Sequence, residues 1–190
     1  MSDAFPRPWP HHGSRHEPSL LLFRPRWDML ENPRTGERLE RLVLETPDWV
    51  NVVARATDGR FVMVRQYRFG VGAVTLELPG GMIDRGKAPR AAAERELREE
   101  TGFHATAWTA LGHVEPNPAI HDNRCYQFLA EGCALTAVQD LDPGEDIQVV
   151  LQTEDELRAG IERGEIAHTL VLSALARVID LRGVIARPRG

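Results

Sequence analysis

The stretch from Gly80 to Phe103, GGMIDRGKAPRAAAERELREETGF, constrains this chain more than any other. A glycine pair opens it. Pro89 stands where a helix begins, since its missing N–H is unpaired there in any case. Gly102 stands where a left-handed C-terminal cap is wanted, about three turns later. Within that helix Glu96, Glu99 and Glu100 are spaced i, i+3, i+4, so they share one narrow arc of its surface. The arrangement works against the helix. Like charges four residues apart repel, and carboxylates near the C-terminus meet the negative end of the macrodipole. Ala92 and Ala93 lie on the carboxylate side, while Arg95 and Arg98 are expected to point elsewhere and leave it without a counter-charge. Three such hard oxygen ligands match what Mg²⁺ or Mn²⁺ would complete. The plain alternative is a solvated acidic helix face.

The chain has 190 residues, which suits one domain with a short appendage. A net charge of −5 supplies no electrostatic footprint for nucleic acid or an anionic membrane, and neither is expected as a partner. Cys125 and Cys133 form no metal-ligand pattern and read as reduced thiols. No apolar run has spanning length, and the N-terminus lacks a signal-peptide core. A cytoplasmic location is expected.

Along the chain, residues 1–18 are rich in proline, histidine and small polar residues and are expected to be a disordered tail. His11, His12 and His16 would then hold no fixed geometry for a metal. SLLLFRPRW and ERLERLVLE, within residues 19–48, read as strands separated by NPRTGE. WVNVVARA and RFVMVRQYR form a hairpin about Asp58-Gly59. In the second of these, Val62, Val64, Gln66 and Arg68 share one face, with Arg65 and Tyr67 on the other. VTLEL ends at Pro79. TAWTALGHV, RCYQFLAE and IQVVLQ are further strands, and an acidic loop, ALTAVQDLDPGED, precedes the last. A capping box from Thr153 to Glu156 starts a helix that stops at Gly164. A final helix is expected from about His168 to Leu181. The fold class is α/β, a mixed sheet flanked by helices without a regular βαβ period.

The central stretch resembles the Nudix hydrolase signature. Gly81 supplies its first glycine, and Arg95, Glu96, Leu97, Glu99, Glu100, Gly102 and Phe103 supply its Arg-Glu-aliphatic-x-Glu-Glu-x-Gly-aliphatic run. One position departs: Lys87 stands where the signature has a glutamate that pairs with the arginine, and Asp84 is the substitute partner. PDWVNVVA, VRQYR, LELPGGMID, Pro118 and the two closing helices are similar to the ADP-ribose pyrophosphatase branch. The resemblance implies a Nudix fold, a mixed sheet sandwiched between helices, over residues 49–190. The N-terminal strands would be extra, and relatives in the branch use such strands to form homodimers.

It also implies roles. Glu96, Glu99, Glu100 and the Gly80 carbonyl would hold Mg²⁺ (or Mn²⁺), with Glu99 alternatively serving a second metal or its water. Glu145 matches the general base, with Asp142 and Asp146 as rivals. Arg68 would clamp a phosphate bidentately. Glu77 would serve metal, substrate or an ion pair with Arg68, and Trp49 is a candidate to stack on an adenine, the alternative being simple packing. Gly81, Arg95 and Gly102 would be structural, and Gly80 and Gly81 would let the backbone approach metal and phosphate. The expected reaction is hydrolysis of the diphosphate of ADP-ribose or a related nucleoside diphosphate sugar. The alternatives are a different nucleoside diphosphate derivative, or a non-catalytic nucleotide sensor suggested by Lys87.

Overall fold

The structure is a computed structural model that describes residues 7–184. Its contacts divide into two compact units. The first comprises the chain through Pro47 together with Asn117–Asn123. It holds strands β1 (His11–His16), β2 (Arg24–Glu31) and β3 (Arg38–Glu45), paired antiparallel in that order.

Strand β1 corrects the expected tail at residues 11–16; residues 1–6 of that tail lie outside the described residues. The physical reason is a set of partners far along the chain. His12 lies 2.9 Å from Glu31, His16 3.2 Å from Glu45 and His11 3.6 Å from Asp28, while the Arg15 guanidinium stacks over Trp27. Local composition carries none of these pairings. The strand expected in SLLLFRPRW begins only at Arg24. Before it, Leu20 and Phe23 exchange backbone hydrogen bonds across a tight turn, with Leu21 in the left-handed region at φ 52°.

The second unit comprises Asp48–Pro116 and Arg124 onward. Its elements are β4 (Trp49–Ala56), β5 (Phe61–Arg68), β6 (Ala73–Glu77), α1 (Pro89–Thr101), β7 (Phe103–His104), β8 (Ala107–Val114), β9 (Cys125–Leu135), β10 (Ile147–Gln152), α2 (Glu154–Glu162) and α3 (Thr169–Leu175). The seven strands form one mixed sheet in which β10, β5, β4, β9 and β7 are successive neighbours. Only the β4–β9 pairing is parallel. Because β6 and β10 pair with overlapping stretches of β5, they take its opposite edges.

Alternation along the central strands splits the core in two. Val50, Val52, Ala54 and Val62 pack against Ala92, Ala93 and Leu97 of α1. Val53, Phe61 and Met63 pack against Leu157, Ile161, Val171 and Leu175 of α2 and α3. Ala92 and Ala93 are small enough to seat α1 directly on the sheet, which brings its glutamates down to strand level. The last helix is shorter than expected. After Leu175 the hydrogen bonds of Arg177 and Val178 close only three residues back, and Arg177 donates instead to the carbonyls of Leu111 and His113. Among the described residues no helix is long and apolar enough to cross a membrane.

Candidate active site

The site is built where the turn after β6 meets α1. The carbonyls of Pro79 and Gly81 accept hydrogen bonds from the N–H groups of Val52 and Val50, each at 2.9 Å. The intervening Gly80 carbonyl receives no donor among the described residues. The Gly80 N–H instead donates to Glu100 Oε2 at 2.9 Å.

Both glycines are required by the protein atoms around them. A Cβ on Gly80 would lie 2.1 Å from the Val50 carbonyl oxygen. On Gly81 it would lie 2.5 Å from the Glu96 carboxylate. Gly81→Ala should therefore displace Glu96 while leaving the sheet intact. We expect kcat to fall by about 100-fold, the cost of a misplaced group of this kind, with an unchanged circular dichroism spectrum. An alanine variant of normal kcat would show that the position of Glu96 is immaterial. At Gly102 the expected left-handed cap is present at φ 73°, its N–H donating to the Arg98 carbonyl.

Glu96 and Glu100 are buried, at 7% and 4% exposure. Burial pushes Glu100 up to about 8, against a partial counter-effect of the Gly80 N–H, and the charges of Glu96 and Glu145 push the same way. Burial likewise raises Glu96 to about 7 despite its contact with Arg95. The arc is thus as electrostatically unfavourable as its sequence implies, but the expectation that Arg95 and Arg98 point elsewhere is wrong. Arg95 bonds Glu96 at 2.6 Å and Glu99 at 2.8 Å, and Arg98 bonds Glu99 at 3.0 Å. Arg95 stands four residues before Glu99, a spacing that makes the two neighbours on the helix surface, while the contacts of Arg95 with Glu96 and of Arg98 with Glu99 are made by long side chains bending toward the adjacent position. Glu99 consequently has both oxygens engaged by arginines.

Arg95 also donates to the Met82 carbonyl at 3.1 Å, tying helix to turn. The tie is made without a glutamate at position 87. Asp84 contributes only as a nearby charge, and Lys87 is exposed.

Among the described residues, Glu96 Oε2, Glu100 Oε1 and the Gly80 carbonyl accept no hydrogen bond. All are hard oxygens, the set a small divalent cation prefers. Among the described residues no three His, Cys, Asp or Glu side chains converge as a ready-made cage. An ion would draw on two carboxylates and a carbonyl, with Glu99 joining only by releasing an arginine. The donor chemistry fits the group that the sequence implied.

Arg68 donates through Nε and Nη2 to the two oxygens of Glu77, at 2.9 and 2.8 Å, which leaves its Nη1–Nη2 edge open to a second two-pronged contact. Of the three uses envisaged for Glu77, the ion pair with Arg68 is the one formed. Glu77 is buried at 3% exposure, which would raise its pKa, but hydrogen bonds from His168, Arg68 and Thr75 hold it well below the usual carboxylate range. His168 was not singled out in the sequence. It lies 91 residues from Glu77, and its local context gives no sign that its ring lies 3.2 Å from that carboxylate.

Trp49 pairs with Met82 at the glycine turn, and among the described residues no ring or cation stacks on it.

The acidic loop is anchored to α1. Asp140 N–H donates to the Glu99 carbonyl at 2.9 Å, and Gln139 bonds the carbonyls of Glu100 and Ile147. Gln139 is a second residue that sequence reading missed. Glu145 accepts the Asp142 N–H at 3.0 Å, and its charge acts on Glu96, Glu100 and Arg68. Asp142 and Asp146 are exposed.

Comparison with known proteins agrees with this arrangement. A family model described as the NUDIX domain matches residues 45–170. The chain is 31% identical over 170 residues to an ADP-ribose pyrophosphatase of Mycobacterium tuberculosis, covering 88% of this chain and 82% of that protein. It is 30% identical over 132 residues to an ADP-ribose pyrophosphatase of Bacillus subtilis, covering 69% and 71%. A crystal structure of an ADP compounds hydrolase shares the fold with a TM-score of 0.80 at 23% identity, over 90% of this chain and 92% of that one. A carboxylate-bearing helix seated on a mixed sheet, a glycine turn bonded to it, and these likenesses together place the chain in the Nudix hydrolase family, within its ADP-ribose pyrophosphatase-like branch.

Proposed function

We propose that this Nudix hydrolase cleaves the diphosphate of ADP-ribose, or of a related nucleoside diphosphate sugar, to a nucleoside monophosphate and a sugar phosphate. The observation that carries this reading is the buried pair Glu96 and Glu100, each with one carboxylate oxygen that accepts no hydrogen bond among the described residues, with the charge of Glu145 acting on both and that of Arg68 on Glu100. The names of the two bacterial relatives point to the same substrate.

Glu96, Glu100 and the Gly80 carbonyl would hold Mg²⁺ or Mn²⁺. When bound, such an ion neutralises phosphoryl charge and acidifies a coordinated water. Arg68 adds positive charge for the diphosphate. Glu145 takes the proton of the attacking water, as the bond from phosphorus to the bridging oxygen breaks and the leaving phosphate carries away that oxygen. Trp49, at the rim of the turn, offers an aromatic surface to the base.

A nucleotide sensor is the second reading, motivated by Lys87. Arg95 is braced by Glu96, Glu99 and the Met82 carbonyl, so the loss of a glutamate there leaves the turn supported. Turnover of a panel of nucleoside diphosphate sugars and dinucleotides, with and without Mg²⁺, tests both. Metal-dependent release of AMP from ADP-ribose supports the first. Tight binding with no turnover of any member would replace it with the second.

We further propose a homodimer formed through the N-terminal strands. One face of their sheet is an apolar groove lined by Leu20, Pro25, Trp27, Leu42 and Leu44, and Leu20 and Leu21 are exposed at 63% and 96%. Apolar surface of this kind marks an association site. Sedimentation equilibrium should return twice the chain mass of 21.3 kDa, and Trp27→Glu should halve it. A wild-type monomer at micromolar concentration would rule the interface out. The buried, reduced thiols Cys125 and Cys133 suit a reducing compartment such as the cytoplasm.

A further inference from the structure

A guanidinium carries five N–H donors and so has two edges that can each meet an oxyanion through two parallel bonds. Arg68 gives its Nε–Nη2 edge to the two oxygens of Glu77 and keeps the Nη1–Nη2 edge, on which Nη1 has no partner among the described residues. Glu77 is in turn held from two further directions. Thr75 Oγ1 donates to its Oε1 at 2.6 Å, and His168 Nδ1 lies 3.2 Å from its Oε2. The oxygen that His168 touches is the one that Arg68 Nη2 touches.

His168 occupies the N-cap position of α3, yet its side chain makes no capping hydrogen bond. It is spent on Glu77 instead. The two partners differ in depth: the Glu77 side chain is 4% exposed, and those of Arg68 and His168 are 44% and 39% exposed. A deep carboxylate therefore anchors two side chains that stand at the rim. A buried charge with this many partners has one low-energy geometry, so it orients whatever it holds.

We propose that Glu77 and His168 are positioning residues for Arg68: the carboxylate takes the Nε–Nη2 edge of the guanidinium, the imidazole locks the carboxylate, and the outer Nη1–Nη2 edge is thereby aimed at the diphosphate. This rests on the reading of the site as a diphosphate hydrolase. It gives the clamp a fixed orientation, and it assigns a function to a histidine 91 residues away from its partner.

Kinetics of Glu77→Gln, His168→Ala and Arg68→Ala, singly and combined, provide the test. Loss of a charge-assisted contact should raise KM about tenfold in Glu77→Gln. His168→Ala, which removes a rim contact, should raise KM about threefold and be restored by His168→Gln. kcat should change less than KM in both. A residue acting only through Arg68 adds nothing once Arg68 is gone, so Arg68→Ala/Glu77→Gln should match Arg68→Ala alone. An arginine that needs no positioning predicts the opposite: Glu77→Gln would leave KM unchanged or lower it, and that result overturns the proposal. So would additive effects in the double variants, or an effect on melting temperature alone. If the wild type turns over no panel member, the diphosphatase reading falls. The same cycle is then read from ADP-ribose affinity by calorimetry, where non-additivity still supports the positioning role. Absence of any binding by the wild type would overturn both.

Discussion

Glu100→Gln should abolish most turnover and at the same time stabilise the metal-free protein. Removing one of two buried carboxylates from the proposed ion seat should lower kcat/KM by about a thousandfold. The stability effect has the opposite sign to that of an ordinary buried substitution. Glu100 is 4% exposed, and burial raises it to about 8. A carboxyl whose folded pKa lies above its unfolded value favours the fold while protonated. That contribution is complete below the unfolded pKa and is lost as pH climbs through about 8. Metal-free wild type should therefore lose stability between pH 5 and 8 on the order of 2 kcal/mol. Glutamine keeps an oxygen for the Gly80 N–H and has no charge to bury. At pH 8 without metal, the variant should melt roughly 5 °C higher. Mg²⁺ should raise the melting temperature of the wild type and leave the variant nearly unmoved. A variant that melts lower than wild type at pH 8, or responds equally to Mg²⁺, would remove Glu100 from the ion seat.

Glu145→Gln separates proton transfer from ion binding. The Glu145 carboxylate accepts the Asp142 N–H at 3.0 Å, a bond that the glutamine oxygen can also make, so the turn should persist. Loss of a general base should lower kcat roughly a thousandfold. The Mg²⁺-dependent rise in melting temperature should survive, since Glu145 lies outside the proposed ligand set. Asp142→Asn and Asp146→Asn should each stay within a few-fold of wild type, both side chains being exposed. Near-normal kcat in Glu145→Gln would move the base to one of these aspartates.

Much of the sheet was legible from alternation, because burial on both faces writes itself into adjacent residues. Val50, Val52 and Ala54 separate from Val53 in the sequence as they do in the two cores. The caps of α1 and α2 were legible for the same reason: each is made by residues a few positions apart. What failed was whatever depended on distant partners. Strand β1 has a tail's composition and is ordered by Asp28, Glu31 and Glu45. The final helix ends early where Arg177 turns to carbonyls more than sixty residues back.

The candidate site divides the same way. By itself the sequence determined that three carboxylates would share one arc of a helix, that a glycine turn would precede it, and that the family would be Nudix. Each follows from fixed spacing on a regular backbone, where position along the chain is position in space. Only the tertiary structure decided how these groups are satisfied. It closed Gly80 and Gly81 against a strand and a glutamate, returned Arg95 to the arc, and set one edge of the Arg68 guanidinium on Glu77. Those outcomes are set by which buried charge lies nearest once the helix is seated on the sheet. Burial strengthens such attractions and makes each unpaired group costly, a quantity that no local stretch of sequence contains.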